Sequence, residues 1–430
     1  MNDEFSNEEI RAVKMDEEDV LAVFRNRFHV PGDILYMDGN SLGLCSRDAE
    51  RSVSRVMKEW KERAIGGWLE GDPPWFSLSE HVGAQAAGIV GAEPDEVILT
   101  GSTTVNLHTL AATFYRPDGK RHKILADPLN FPSDLYALKS QIALRGLDPE
   151  ESLVMPQAVS GRFLDEDEII DMMDDSVCLI LLPSVLYRSG QLLNMERLAR
   201  EANKRDIPIG FDCSHSAGTV PHHFDEWGVD FAFWCSYKYL NGGPGSTAYL
   251  YVNKKHFGKD PGLAGWFGCA KSKQFDMDPV FFPAKAAGAW QISTPPLLSS
   301  AAAEGGLQTV LDAGIDRIRE KSLKLTGFFM ELVDNYLSDN PYGFGIGNPR
   351  QDHRRGGHVA LEHPKEALRI NEALKERNVI PDFRPPNVIR IAPVALYTGF
   401  HDVWRVASHL KEIMDSGAYK RFSKRRKAVS

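Results

Sequence analysis

The amino-acid sequence predicts an α/β protein: a three-layer α/β/α domain built on a mostly parallel sheet, followed by a smaller α+β domain. Three observations carry this expectation. The chain has 430 residues, too many for one small core. From about Lys123 to Val252, short β-rich apolar runs alternate with helical patterns, which is how a parallel sheet covered by helices on both faces reads. Beyond about Ser300 the pattern changes to long helices separated by a few short strands.

The elements follow in order. "EVILT" (Glu96 to Thr100) reads as a strand and runs into "TGSTTVNLHTLAATFY", where small polar residues open a helix. "KILAD", "VCLILLP", "IPIGFD", "DFAFWCS" and "TAYLYV" read as buried strands, with "DLYALKSQIAL" and "NMERLAREANK" as helices between them. A long helical stretch from Ser300 to Tyr336 comes next. A connecting region rich in proline and glycine spans Asn340 to Gly357. It is followed by "HVALE", a helix near Lys365 to Arg377, the strand "NVIRIA" and a last helix. In open parallel sheets ligands bind beyond the carboxyl ends of the strands, so the residues directly after each strand are where chemistry is expected.

Bulk properties exclude several classes. Hydrophobic content of 43% and charged content of 25% are those of a soluble globular protein. A formal charge of −9 argues against a nucleic-acid partner. The basic stretch "YKRFSKRRK" near the C-terminus reads as a solvated tail, with a targeting or polyanion role as the alternative. The five cysteines are odd in number and form no CxxC, and no signal-peptide pattern precedes them. They read as reduced thiols of a cytoplasmic protein. No apolar run approaches the roughly 18 residues of a membrane span.

The densest chemistry lies in "WCSYKYLNGGPGS", where Lys238 stands after a strand and before a glycine cluster. A lysine buried there needs a partner or must give up its charge, and the glycines point to close backbone approach. Asp212 ends the preceding strand. Alone it reads as a helix cap or turn former; beside Lys238 at one sheet edge, the pair is what pyridoxal 5'-phosphate requires. The lysine holds the aldehyde as a Schiff base and the carboxylate keeps the pyridine nitrogen protonated. Thr103 and Thr104, at a helix N-terminus, are either a phosphate site or simple caps. Phe131 in "NFPSD" stacks on a flat ring or belongs to the core. No P-loop is present, "GFGIG" near Gly343 only weakly resembles a dinucleotide loop, and the histidines lack zinc-ligand spacing.

Taken together, "YMDGNSLGL", "NFPSD", "FDCSHSAGTVPHHFDEWGVDFAFWCSYKYLNGGPGS", "GWFG" and "NVIRIAPVALY" resemble kynureninase, a pyridoxal-phosphate-dependent hydrolase of the aspartate aminotransferase fold type. The match runs in order from about Tyr36 to the last helix. The resemblance implies an N-terminal segment (1–60) packing on the small domain and active site, a large cofactor-binding domain (61–300) and a small C-terminal α+β domain (301–430). It implies Lys238 as the Schiff-base lysine, Asp212 facing the pyridine nitrogen, His215 beside the ring and Phe131 stacked on it. Pro132, Ser133 and Asp134 belong to the same cofactor stretch. Thr103, Thr104, Ser184, Tyr237, Trp266 and Thr294 match cofactor-contacting positions. Arg390 would clamp the substrate α-carboxylate through a bidentate pair. Asn40, Ser41, Trp68, Ser293 and Thr294 would form the substrate wall.

The activity so implied is hydrolytic Cβ–Cγ cleavage of L-kynurenine to anthranilate and L-alanine, in tryptophan catabolism or NAD biosynthesis, by a cytoplasmic homodimer. Tyr237 would carry protons in the later steps or serve only as a phosphate ligand. The sequence departs from the family pattern at Pro183, which leaves the phosphate ligand near Ser184 open. Thr294 looks like the bacterial, kynurenine-preferring type, with 3-hydroxykynurenine as the other candidate substrate. A cysteine desulfurase or aminotransferase of the same fold is the rival reading, with Cys269 as the nominal desulfurase nucleophile.

Overall fold

A computed structural model describes residues 2–425. Its strands are β1 (Leu35–Tyr36), β2 (Val97–Leu99), β3 (Lys123–Leu125), β4 (Leu153–Val154), β5 (Val177–Pro183), β6 (Ile209–Asp212), β7 (Phe231–Trp234), β8 (Tyr249–Val252), β9 (Gly345–Ile346), β10 (Val359–Glu362), β11 (Val379–Ile380), β12 (Asp382–Arg384) and β13 (Val388–Ile391). Seven of them form the main sheet in the order β2-β8-β7-β6-β5-β3-β4. Only β8 runs against the rest, being antiparallel to both β7 and β2.

The side-chain period of two along each strand explains the three layers. Leu179 and Leu181 of β5, with Phe231 and Phe233 of β7, enter the core on one face of the sheet. Their neighbours Ile180, Leu182, Ala232 and Trp234 enter the core on the other. Both faces are thus apolar, and helices such as Pro132–Ala143 and Met195–Asn203 cover them.

The long helical stretch after Ser300 is two helices, Leu297–Ala313 and Ile315–Tyr336, broken at Gly314. That residue has φ +82°, a conformation glycine adopts without a Cβ clash. Ala303, Leu307 and Val310 of the first helix join the large-sheet core. Phe328, Phe329 and Leu332 of the second pack with Val359, Ile389 and Leu410 in a separate core. Ile318, in the first turn of the second helix, still joins the large-sheet core, so the packing changes over just beyond Gly314. The helix Arg47–Arg63 likewise runs through residue 60.

The small sheet has the order β12-β13-β10-β9, all antiparallel. "GFGIG" supplies its edge strand β9, not a nucleotide loop. The N-terminal segment joins this half of the molecule: Phe5, Ala12, Leu35 and Met37 lie in its core, and β1 pairs in parallel with β11. The basic stretch is docked as far as it is described. Lys424 Nζ lies 3.1 Å from Glu366, Arg421 pairs with Glu376, and Arg369 Nε donates to the Phe422 carbonyl at 2.8 Å. Arg426 and Lys427 fall outside the described residues.

Candidate active site

The parallel strands β3, β5, β6 and β7 deliver Asp127, Ser184, Asp212 and, in the turn beyond β7, Lys238 to one rim of the sheet. Fifteen residues line a cleft of about 210 Å³ at this rim, among them Asp212, His215, Tyr237, Lys238 and Arg390. Lys238 Nζ lies 3.0 Å from Nε2 of His215. Burial, then the positive charges of Lys238 and Arg390, hold that imidazole well below its ordinary pKa, so it is neutral and pairs with the lysine nitrogen through a hydrogen bond.

The lysine turn is locked from two sides. Ser236 Oγ bonds Ser246 Oγ and the Thr247 carbonyl, and Gly242 N–H donates to the Ser236 carbonyl at 2.9 Å. From the other side "DGNSLGL" presses against it: Gly43 N–H donates to the Tyr237 carbonyl at 2.7 Å. A Cβ on Gly43 would stand 2.4 Å from the Lys238 carbonyl oxygen. Glycine is required there by proximity.

Two carboxyl groups, Asp134 and Asp212, lie in the cleft wall, with Asp127 buried behind them. Burial, followed by the facing charge of Asp212, pushes Asp134 well above the carboxylate range. Burial also raises Asp127 to about 7, with Asp212 adding to the effect. Each has one carboxyl oxygen without a hydrogen-bond partner. Such a wall favours a cation or a protonated nitrogen in the space it faces.

Two helix N-termini also meet at the cleft. The helices Thr103–Phe114 and Pro132–Ala143 begin after Ser102 and Phe131, neither of which caps with its side chain. Pro132 has no N–H and Asp134 N–H donates to the Phe131 carbonyl, which leaves the N–H groups of Thr103, Thr104 and Ser133 to bind an anion. Between them, Thr104 Oγ1 and Ser133 Oγ lie 2.7 Å apart. Thr103 stands beside the Tyr237 phenol, whose pKa burial pushes upward and the threonine hydroxyl eases. Phe131 is half exposed at the rim, its ring edge-on to Tyr187 at 5.6 Å.

The far end of the cleft belongs to the small domain. Arg390 is buried, with Nε donating to Asp382 Oδ2 at 2.7 Å, Nη1 to the Tyr187 carbonyl at 3.0 Å and Nη2 to Ser41 Oγ at 2.9 Å. Asn40 is fully buried and neither atom of its amide has a partner. Burial and the Asp382 charge raise Asp38 to about 6, with Ser41 and Arg390 opposing.

The cleft thus gathers Asn40, Ser41, Thr103, Thr104, Phe131, Ser133, Asp134, Asp212, His215, Tyr237, Lys238 and Arg390. It does not gather the remaining expected residues. Pro132 starts its helix and faces a neighbouring cavity. Ser184 turns away: its hydroxyl bonds Ser216 Oγ at 2.6 Å and the Asp212 carbonyl, fully buried. Trp68 packs on Trp75 and Phe267, each at 6.1 Å. Trp266 is half exposed, with Nε1–H bonded to the Gln274 carbonyl, and Ser293 and Thr294 are exposed. Sequence reasoning passed over Asp127, Tyr187, Ser214 and Arg384. Asp127 was findable, since it ends "KILAD" as Asp212 ends "IPIGFD"; nothing in the local sequence marks the other three.

A lysine and an aspartate at the carboxyl rim of a largely parallel seven-stranded sheet define a shared enzyme fold. The chain superposes on the cysteine desulfurase of Thermococcus onnurineus with a TM-score of 0.77, at 16% identity over 92% of this chain and 98% of that one. A variant of the lyase C-DES with glycine covalently linked to its PLP cofactor gives 0.78 at 15% identity, over 90% and 98%. At such identities the likeness is one of fold. Sequence is more specific. Residues 318–410 match the kynureninase C-terminal domain. Kynureninases of Geobacillus thermodenitrificans, Bacillus cereus and Shouchella clausii are 57%, 55% and 55% identical over 419 residues, 97% of each chain. The chain belongs to the kynureninase family.

Proposed function

We propose that this protein is a pyridoxal-phosphate-dependent kynureninase that hydrolyses L-kynurenine to anthranilate and L-alanine. Identity above half over nearly the whole chain to named kynureninases is the observation that carries the reading. The cleft's own chemistry supports the cofactor. Two uncapped helix N-termini with hydroxyls suit a phosphate, and the Asp212 and Asp134 wall, with Asp127 behind it, suits a protonated ring nitrogen. Lys238 lines the same cleft as both.

When bound, pyridoxal phosphate supplies the electron sink that lets the substrate α-carbon lose a proton and the Cβ–Cγ bond break. This chain's residues do the rest. Lys238 Nζ would take the α-proton, aimed by the neutral His215 Nε2 3.0 Å away. Tyr237 keeps its phenolic proton through neutral pH because burial raises it, so its Oη can deliver a proton late in the reaction. Asp212 Oδ1 accepts from Ser214 N–H at 2.8 Å, which fixes the carboxylate toward the cleft. Arg390, Ser41 and Asn40 would orient the amino-acid end.

The residues missing from the cleft support a homodimer. Trp68, Phe267 and Trp266 form one aromatic cluster, and the backbone of Gly265 lies against Ile292, next to Ser293 and Thr294. The surface around them exposes Leu69, Phe275, Met277 and Val280, an apolar patch of the kind partners cover. A second copy would bring this cluster to its neighbour's cleft. The rival desulfurase reading finds only fold-level support, and Cys269 is buried. The test is anthranilate release from purified protein, parent against Lys238→Ala. The reading expects turnover and the protein's yellow colour to vanish together; a variant that cleaves kynurenine at the parent rate would falsify it.

A further inference from the structure

A guanidinium has five N–H donors, and protein groups take four of those on Arg390. Nε and one Nη2 hydrogen go to Asp382 Oδ2, the other Nη2 hydrogen to Ser41 Oγ, and one Nη1 hydrogen to the Tyr187 carbonyl. The forked edge that would grip a carboxylate with two parallel bonds is filled by Asp382. One N–H remains for a ligand, whereas a carboxylate offers two oxygens with about four acceptor sites.

The same cleft holds a second guanidinium. Arg384 lines it together with Arg390, from the end of β12, where Asp382 sits directly opposite Arg390 in the ladder. Arg384 Nε stands 2.8 Å from the same Asp382 Oδ2, an ion pair without hydrogen-bond alignment. Its Nη1 and Nη2 donate to no other described residue, and its side chain is about a quarter exposed, at 28%. The Tyr187 ring lies 6.0 Å below its Cζ. One carboxylate oxygen thus serves two arginines. One of these is nearly saturated and the other presents its planar fork to the cleft.

Resting on the kynureninase reading, we propose that Arg384 is the second arm of the substrate α-carboxylate subsite, contributing the paired donors that Arg390 cannot. Asp382 is the shared counter-ion that holds the two guanidiniums side by side. Arg390 then fixes the subsite's position and Arg384 supplies most of the ligand-directed hydrogen bonds.

The test uses the holoenzyme with L-kynurenine and, as competitive inhibitor, kynuramine, the same molecule without the α-carboxylate. Arg384→Gln is expected to raise KM for kynurenine by about 10- to 100-fold, the weight of a charge-assisted bond, with kcat within about threefold. The Ki of kynuramine should move less than twofold. Arg384→Lys, which keeps the charge and folds most readily, should recover part of the loss. An unchanged KM or a parallel rise in the kynuramine Ki would each overturn the proposal. If the parent itself releases no anthranilate, the reaction reading fails and this proposal falls with it. A parent that turns over beside an indifferent Arg384→Gln refutes this proposal alone.

Discussion

Gly43→Ala is a clean probe of how the N-terminal segment shapes the site. The new methyl would meet the Asn241 Oδ1 at 2.3 Å and the Lys238 carbonyl oxygen at 2.4 Å, about 1 Å inside normal contact. Gly43 does not have positive φ, so the substitution adds bulk without backbone strain of its own. The Lys238 carbonyl cannot swing aside freely, because it accepts from Asn241 N–H at 3.0 Å. The segment must therefore lift, stretching the 2.7 Å bond from Gly43 N–H to the Tyr237 carbonyl. Overpacking costs about 1–3 kcal/mol and the lost bond about 0.5–1.5 kcal/mol, which gives roughly 2–4 kcal/mol. Guanidinium unfolding of the holoenzyme reads this directly, and kcat/KM for kynurenine should fall as Lys238 shifts. A variant unfolding within about 0.5 kcal/mol of the parent, with parental kcat/KM, would refute the reasoning.

Tyr237→Phe should lower kcat by about 10²- to 10⁴-fold, the range for a lost general acid, with KM moving far less; equal kcat would leave Tyr237 a phosphate neighbour only. Asp127 has a folded pKa of about 7, above its unfolded value, so it stabilises the fold below about pH 4 and that contribution is lost as pH rises toward 7. Asp127→Asn should therefore gain stability relative to the parent at pH 8 and little at pH 4, at about 1.4 kcal/mol per pH unit; thermal unfolding at both pH values checks the sign. Arg390→Lys keeps a charge beside Asp382 but loses the guanidinium's forked donors, and should destabilise the protein by about 1.5–3 kcal/mol and raise KM; unfolding and kinetics of the variant check both. Leu69→Glu combined with Met277→Glu should shift a sizing-column peak from dimer to monomer and lower activity with it; unchanged elution would locate the interface elsewhere.

Much of this was legible because the parallel sheet writes itself plainly. "VCLILLP" is β5 without a residue added or removed, since a strand buried on both faces is one apolar run. Asp212 and Lys238 were readable for the same reason, each standing where such a strand ends. The Ser300–Tyr336 stretch reads as one helix because helical periodicity continues across Gly314, and only the φ of +82° there breaks it into two. Ser184 also ends a strand, yet its hydroxyl bonds Ser216 beneath the sheet edge; position on the rim does not fix which way a side chain turns. Arg384 and Tyr187 were missed because they meet Arg390 only through the antiparallel pairing of β12 with β13 and a carbonyl from the other domain. The aromatic cluster around Trp266 was assigned to the site by resemblance, although one chain alone leaves it outside.

The parallel pairing of β1 with β11 sets an order on biosynthesis. Leu35 finds Val379 only after more than three hundred further residues have left the ribosome, so the first segment made must wait for nearly the last. Until then the strap that carries Gly43 is held from one side only, by Leu44 in the large-sheet core and by the packing of Arg47–Arg63 on Leu297–Ala313. A nascent chain can complete its large sheet early, whereas the contact of Ser41 with Arg390 in the cleft needs both ends of the polypeptide to have been made.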